Sequence, residues 1–398
     1  MRLLVVAPFL PDPRASHGGG SYLGALCEGL SRHAELGLVA PLLPNEQDRL
    51  QELGSSVFAR VFPANAPSRP SGLRRHLHRA QMLLRWGLLR QPLVAAKFGT
   101  AAMHAAVRRA VAEFAPDVVL LELAQSAQFM ANAAGVPCVI TDHEAGVPAN
   151  TRTDLGAWAD RRDQGLWRNY VQRHYAEADL VQALTEEDAA ELRRTLSREV
   201  LVRAPAVSVP SQPIRRTGTP QRMLFLGSYS HEPNERAAAV LADEVLPLVR
   251  RRAPGAELWF AGPDCNRIAN LARAGVRIVG FRDDLASLFA EVRLVLSPLY
   301  SGGGFRMKVL SALAHGVPVV TNALGARGAA APAPAKLVAE THEGLAEAAA
   351  SLLLDEARCI EAGALAHRWA SENLSPDAVA ATQLQRIREL IAARGARR

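Results

Sequence analysis

Lysine is almost missing from this chain of 398 residues: Lys97, Lys308 and Lys336 are the only three among 46 basic side chains. Arginine is the default cation, so Lys308, inside a glycine-rich loop, stands out from its background. Cysteine is also scarce. Cys27, Cys138, Cys265 and Cys359 lie far apart and form no CxxC pair, which argues against a zinc site and a disulfide framework and fits a reduced cytoplasm. No DxD occurs, and no His/Cys spacing suggests a metal site. No apolar run is long enough to span a bilayer. The opening MRLLVVAPFLP has no small-residue cleavage site and reads as a first strand rather than a signal peptide. Acidic residues are absent from 53–112 altogether.

What is present supports two cores. Apolar residues make up 49% of the chain, and the length predicts two domains. The first half alternates strand-like and helix-like runs. Strands are expected at 3–7, 36–40, 57–61, 116–121, 136–141, 180–183 and 199–202, with a helix from about Ser21 to Arg32. The stretch RAPAVSVPSQPIRRTGTP loses all periodicity and reads as a linker. The second half restarts the alternation, with strands at 222–226, 257–260, 276–279, 293–296 and 317–320. Asn234 is expected to cap a helix over 235–252, and Asp283 a shorter one. Gly316 suits the position just past a helix end, and 375–393 reads as a closing amphipathic helix. The expected division is a domain at 1–203, a linker at 204–220, a second domain at 221–374 and a closing helix at 375–398. Each domain is α/β, a parallel sheet with helices on both faces. Loops at the carboxyl ends of such strands, after Ala7, Thr141, Leu226, Phe260 and Leu296, are where ligands bind.

Two of these loops carry glycine runs at a helix mouth. Gly302, Gly303 and Gly304 run through Phe305 into Arg306 and Lys308. Glycines let backbone N–H groups approach an anion, the helix start adds unpaired N–H groups and a positive dipole end, and the two cations add full charge. That combination suits a diphosphate; a flexible turn with two solvated cations is the plain alternative. Gly18, Gly19 and Gly20 repeat the pattern in the first half. Neither run is a GxGxxG fingerprint or a Walker loop. His143, in the polar run Thr141–Glu144 at a strand's end, could exchange a proton or bond a sugar hydroxyl. A divalent ion, if one helps, would arrive with a nucleotide. The acid-free stretch holds ten cations, with Trp86 and several leucines interleaved over 69–109. Such a helix can lie on an anionic membrane surface, or simply present solvated arginines. No nucleic-acid-binding motif accompanies it.

In order and spacing, FLGSYSHEPNERAA, ELWFAGPD, GFRDDLASLFAEVRLVLSPL and GGGFRMKVLSALAHGVPVVTN resemble the donor domain of glycosyltransferase family 4, and HGGGSYLGALCEGL resembles its N-terminal glycine loop. The resemblance covers nearly the whole chain. It implies the GT-B fold, two Rossmann-like domains facing across a cleft, with the last helix crossing back to the first domain. It implies a metal-independent, hexosyltransferase-type enzyme of bacterial glycan assembly that moves a sugar from a nucleotide-diphosphate donor to an acceptor hydroxyl with retention. The donor is a co-substrate, with no tightly bound cofactor. The acceptor would be a glycan, a lipid-linked glycan or a small molecule, and the location cytoplasmic or at the inner membrane face. His143 would contact the donor sugar as a catalytic residue, with Arg306 and Lys308 at the diphosphate. Gly18, Gly19, Gly227, Ser228, Gly302, Gly303, Gly304, Phe305 and Ser311 would line the donor. Two departures stand out. The family's E-x7-E glutamates fall on Gly303 and Ser311, and its basic pair after the strand at 222–226 falls on Ser228 and Asn234. The competing reading is a catalytically degenerate relative that serves as a binding or scaffolding subunit. An epimerase would need extra acids in the cleft, and a pyridoxal phosphate phosphorylase a Schiff-base lysine.

Overall fold

The computed structural model describes residues 1–15, 18–42, 46–54, 56–65, 73–145, 153, 155–302 and 304–396. The chain divides into two compact units, Met1–Ala206 with Pro376–Arg398, and Val207–Ser375.

The first unit is built on a seven-stranded parallel sheet. Its strands are β1 (Arg2–Val6), β2 (Glu35–Leu42), β3 (Arg60–Asn65), β4 (Val118–Glu122), β5 (Cys138–Asp142), β6 (Leu180–Ala183) and β7 (Leu201–Val202). They lie in the order β3-β2-β1-β4-β5-β6-β7. The sequence places β3 three residues too early, because the apolar Val57 and Phe58 precede the strand rather than belong to it. β1 and β4 are unbroken apolar runs because helices cover both faces of the sheet. Chain order reverses between β1 and β4, which makes their carboxyl ends the natural place for a ligand.

The second unit repeats the plan with six strands: β8 (Arg222–Leu226), β9 (Glu257–Ala261), β10 (Val276–Gly280), β11 (Leu294–Leu296), β12 (Val319–Thr321) and β13 (Lys336–Val338). Their order is β10-β9-β8-β11-β12-β13, so the switch point falls between β8 and β11. Residues 207–220 carry no regular structure and run along this unit. Ile214 N–H bonds His315 O, and the buried Arg216 guanidinium donates to Val292 O and Phe289 O.

Two helix starts differ from the sequence reading. The helix placed at 235–252 begins earlier, as Glu232–Val240, and passes through a π turn, Leu241–Val245, into Leu246–Arg252. Pro233 fits its first turn, where no N–H is needed, so Asn234 lies inside the helix and its side chain is free for other work. The cap of the helix Leu285–Ala290 is Asp284, not Asp283; its carboxylate accepts from Ala286 N and Ser287 N. Gly316 does sit just past the end of the helix Met307–Ala314, with φ +74°.

The last helix, Pro376–Gly395, returns to the first unit and packs on the helix Gly18–Ser31. The approach at Gly29 is close: a Cβ there would lie 2.1 Å from the Pro376 carbonyl oxygen. Among the described residues no helix is long and apolar enough to cross a membrane.

Candidate active site

Each unit gathers polar side chains at the carboxyl edge of its sheet. In the first unit the centre is Glu122, the last residue of β4. It is wholly buried, and Arg203 grips it with both Nη atoms, each donating to a different carboxylate oxygen at 2.8 Å. The Tyr22 hydroxyl donates to Glu122 Oε2 at 3.0 Å and accepts from Arg203 Nη2. His143 Nε2 lies 3.2 Å from the same Glu122 oxygen and 3.3 Å from the Tyr22 hydroxyl. Burial pushes the Glu122 carboxyl up, but the Arg203 charge and the His143 and Arg203 hydrogen bonds outweigh it and bring the pKa down to about 2. Tyr22 moves the other way, since burial raises its phenol well above its ordinary range. An ionised carboxylate only accepts, so His143 carries its proton on Nε2, toward Glu122, and keeps Nδ1 for another partner.

These four residues come from distant places. Tyr22 lies one turn into the helix that opens at Gly18, so that helix carries its exposed Gly18 and half-buried Gly19 on the end nearest the network. Of the run Thr141–Glu144, His143 joins the network. Asp142 accepts from the Tyr175 hydroxyl at 2.5 Å and from Glu144 N at 2.8 Å, which makes it a brace for the turn.

In the second unit the centre is Lys308, in the first turn of the helix Met307–Ala314. Its ammonium donates to Asn234 Oδ1 at 2.7 Å and sits 4.1 Å above the Phe225 ring. Asn234 in turn donates from Nδ2 to Ser228 O at 2.9 Å, so Lys308 is tied to the loop that follows β8. The residue as a whole is half-buried, and its ammonium is desolvated. That burial, with Arg306 nearby, lowers its pKa to about 7. Among the described residues no carboxylate pairs with it.

Gly227 and Gly262 pack the same loop tightly. A Cβ on Gly227 would stand 2.8 Å from Asn234 Cγ, and one on Gly262, at φ +133°, would stand 2.1 Å from Gly227 O. Ser228 Oγ lies 2.8 Å from Ser230 Oγ and donates to Asp264 Oδ2 at 3.3 Å.

The loop after β11 is pinned by Asn322, which accepts from Leu299 N at 3.1 Å and donates to Leu299 O at 2.7 Å. Arg306 is buried and braces the loop from inside: Nη2 donates to Gly302 O at 3.0 Å and Nε to Leu324 O at 3.3 Å. Gly302 and Gly304 have φ +104° and +72°, the left-handed region that glycine alone enters freely. Gly303 lies outside the described residues. The Ser301 hydroxyl is buried without a partner among the described residues. Phe305 is half-buried. Ser311 contributes its carbonyl to His315 Nδ1 at 2.8 Å. The structure therefore joins Gly227, Ser228 and Lys308 through Asn234, and Arg306 with Gly302. It places His143, Gly18 and Gly19 in the other unit. Sequence reading missed Tyr22, Glu122, Arg203 and Asn322.

Comparison with known proteins decides the family. Residues 220–355 match the group 1 glycosyl transferases, and residues 17–206 match the glycosyl transferase 4-like domain. The chain belongs to the group 1, family 4 glycosyltransferases. No curated protein matches it by sequence. Among solved structures, this glycosyltransferase resembles Anabaena HepE in complex with UDP, at 14% identity and TM-score 0.66 over 98% of this chain and 100% of that one. HepE in complex with UDP-glucose is similar at 14% identity and TM-score 0.63, over 99% and 100%. Sucrose-phosphate synthase from Thermosynechococcus elongatus is similar at 17% identity and TM-score 0.69, over 98% and 99%. At such identities the likeness establishes the GT-B fold.

Proposed function

We propose that this glycosyltransferase moves a sugar from a nucleoside-diphosphate sugar to an acceptor hydroxyl, and that the loops around Lys308 hold the diphosphate. The observation that carries the reading is the Lys308 ammonium: desolvated, bonded among the described residues to a neutral amide oxygen and a ring face, and one turn from a glycine loop. A buried cation without a counter-charge is costly, and a diphosphate would relieve the cost. HepE, solved with UDP and with UDP-glucose, makes uridine the first nucleoside to try.

In the reaction the bond from the sugar's anomeric carbon to the diphosphate oxygen breaks, and a bond from the acceptor oxygen forms. The nucleoside diphosphate leaves with the bonding pair, and the acceptor's proton passes to its freed oxygen. Lys308 and the loop N–H groups would stabilise the charge that grows on the leaving oxygens. Arg306 keeps the loop in shape, and the Ser301 hydroxyl adds a donor beside it. His143, with Nε2 held by Glu122, would offer Nδ1 to a donor-sugar hydroxyl. Retention at the anomeric carbon and a glycan, lipid-linked or small-molecule acceptor complete the proposal.

The test is release of nucleoside diphosphate from a panel of nucleotide sugars. Lys308→Ala is expected to slow turnover by about 10²–10³-fold, the usual cost of losing one donor to a developing oxyanion, while the fold stays intact. Turnover equal to wild type would remove Lys308 from this role. One observation favours a second reading: Ser311 stands where the family carries a ribose-binding glutamate. A folded wild-type chain that binds no nucleotide would support a scaffolding subunit instead.

A further inference from the structure

A row of buried polar side chains runs from Glu122 to the last helix. Glu122, Thr141 and Gln182 are register partners on β4, β5 and β6, so their side chains share one face of the first sheet. None is more than 1% exposed. Tyr22 meets the row at Glu122. The helix Pro376–Gly395 meets it at the other end: Gln182 Nε2 donates to Gln383 Oε1 at 2.8 Å, and Thr141 Oγ1 donates to Gln182 Oε1 at 3.4 Å. One turn further along the same helix, Arg386 Nη1 donates to Val202 O at 2.7 Å. Val202 ends β7. The next residue is Arg203, whose N–H bonds Ala183 O at 2.8 Å and whose guanidinium grips Glu122.

Stability alone does not account for these two side chains. Gln383 is 0% exposed, on a helix face otherwise buried through Val379, Ala380, Leu384 and Ile387. Its Nε2 has no partner among the described residues, and neither has Arg203 Nε. A buried donor left unpaired costs stability that an apolar side chain of similar size would not forfeit. Arg386 brings a second cation toward Arg203. Burial, and after it the like charge of Arg203, hold its guanidinium below the ordinary range. What both residues supply is fixed geometry at the ends of three strands.

We infer that the last helix positions His143. Gln383 acts through Gln182 on Thr141, two residues before the histidine. Arg386 fixes the peptide from which Arg203 reaches Glu122. The two lines converge on the imidazole, whose Nε2 lies 3.2 Å from Glu122 Oε2. Gln383 and Arg386 are thus positioning residues, acting through others. The inference rests on the role proposed for His143, and a readout on the imidazole itself separates the two.

That readout is the ring nitrogen spectrum of the full chain labelled with ¹⁵N-histidine, with His143 assigned by its loss in His143→Asn. The wild type is expected to carry its proton on Nε2. Gln383→Met with Arg386→Met is expected to shift this resonance and speed exchange of its proton with water. Release of nucleoside diphosphate is the second readout. Here kcat is expected to fall about 10- to 100-fold with KM for the donor unchanged, as for a reacting group displaced from a distance. Arg386→Lys keeps a donor for Val202 O and is expected to restore most of what Arg386→Met loses. Circular dichroism checks the fold, and each single variant stands in if the pair does not fold. An unmoved His143 resonance in folded variants would overturn the inference whatever the activity. So would a loss confined to KM, or Arg386→Lys no better than Arg386→Met. A wild type that turns over no donor would contradict the transfer reading instead, and the resonance would still decide the positioning.

Discussion

Lys308 sets a pH dependence that can be read directly. Its pKa of about 7 in the free protein rises when a diphosphate arrives, so binding near neutral pH takes up a proton. Affinity for a nucleoside diphosphate is therefore expected to fall as pH rises above about 7. Calorimetry in buffers of different ionisation enthalpy would show the uptake; a pH-independent affinity would contradict a desolvated Lys308 at the phosphate. Glu122 acts at the other end of the scale. Its folded pKa lies below its unfolded value, so it contributes stability that is complete above the unfolded pKa of 4.5 and lost as pH falls toward about 2. Removing its charge strands Arg203 in the core, and Glu122→Gln is expected to cost about 3–5 kcal/mol. A denaturation midpoint within error of wild type would show that the ion pair is not formed. The place of His143 at the carboxyl edge of the sheet was legible because it directly follows an apolar strand. Its partners were not, because the Glu122–Arg203 pair spans 81 residues and Arg203 sits where the chain's periodicity fails. An acid closing the apolar run DVVLLE was the one available sign.

At the scale of elements, the sequence showed most strands because parallel strands buried on both faces are continuous apolar runs. β13 escaped: three residues after an alanine- and proline-rich stretch carry no pattern. The shifted start of the helix at Glu232 was equally invisible, since Asn234 suits a cap by type, whereas the structure uses it to hold Lys308. That use makes the loop after β8 a working part. Gly227→Ala puts a methyl group 2.8 Å from Asn234 Cγ and must displace it. Loss of the charged hydrogen bond to Lys308 is worth about 1.5–3 kcal/mol, so nucleotide affinity is expected to drop at least about tenfold. Titration of the folded variant checks this, and unchanged affinity would mean Lys308 needs no support from Asn234.

For the whole molecule, the closing helix is the feature that depends on closeness of backbone. Pro376–Gly395 buries Val379, Ala380, Leu384 and Ile387 in the first unit, against the helix that opens at Gly18. Gly29→Ala would push a methyl group onto the Pro376 carbonyl, and neither backbone can yield cheaply. The expected cost is about 1–3 kcal/mol, or a few degrees of melting temperature for a unit of this size. An unchanged Tm would mean the helix is not seated there. The proposed donor site puts a nucleoside diphosphate on Lys308. Calorimetric titration of UDP, and then of the other nucleoside diphosphates, into the wild-type chain and Lys308→Ala tests it most directly. The expected result is binding of one nucleotide by the wild type, with proton uptake, weakened at least about tenfold in the variant. A folded wild-type chain that binds none of them, or a variant that binds as well as wild type, would contradict it.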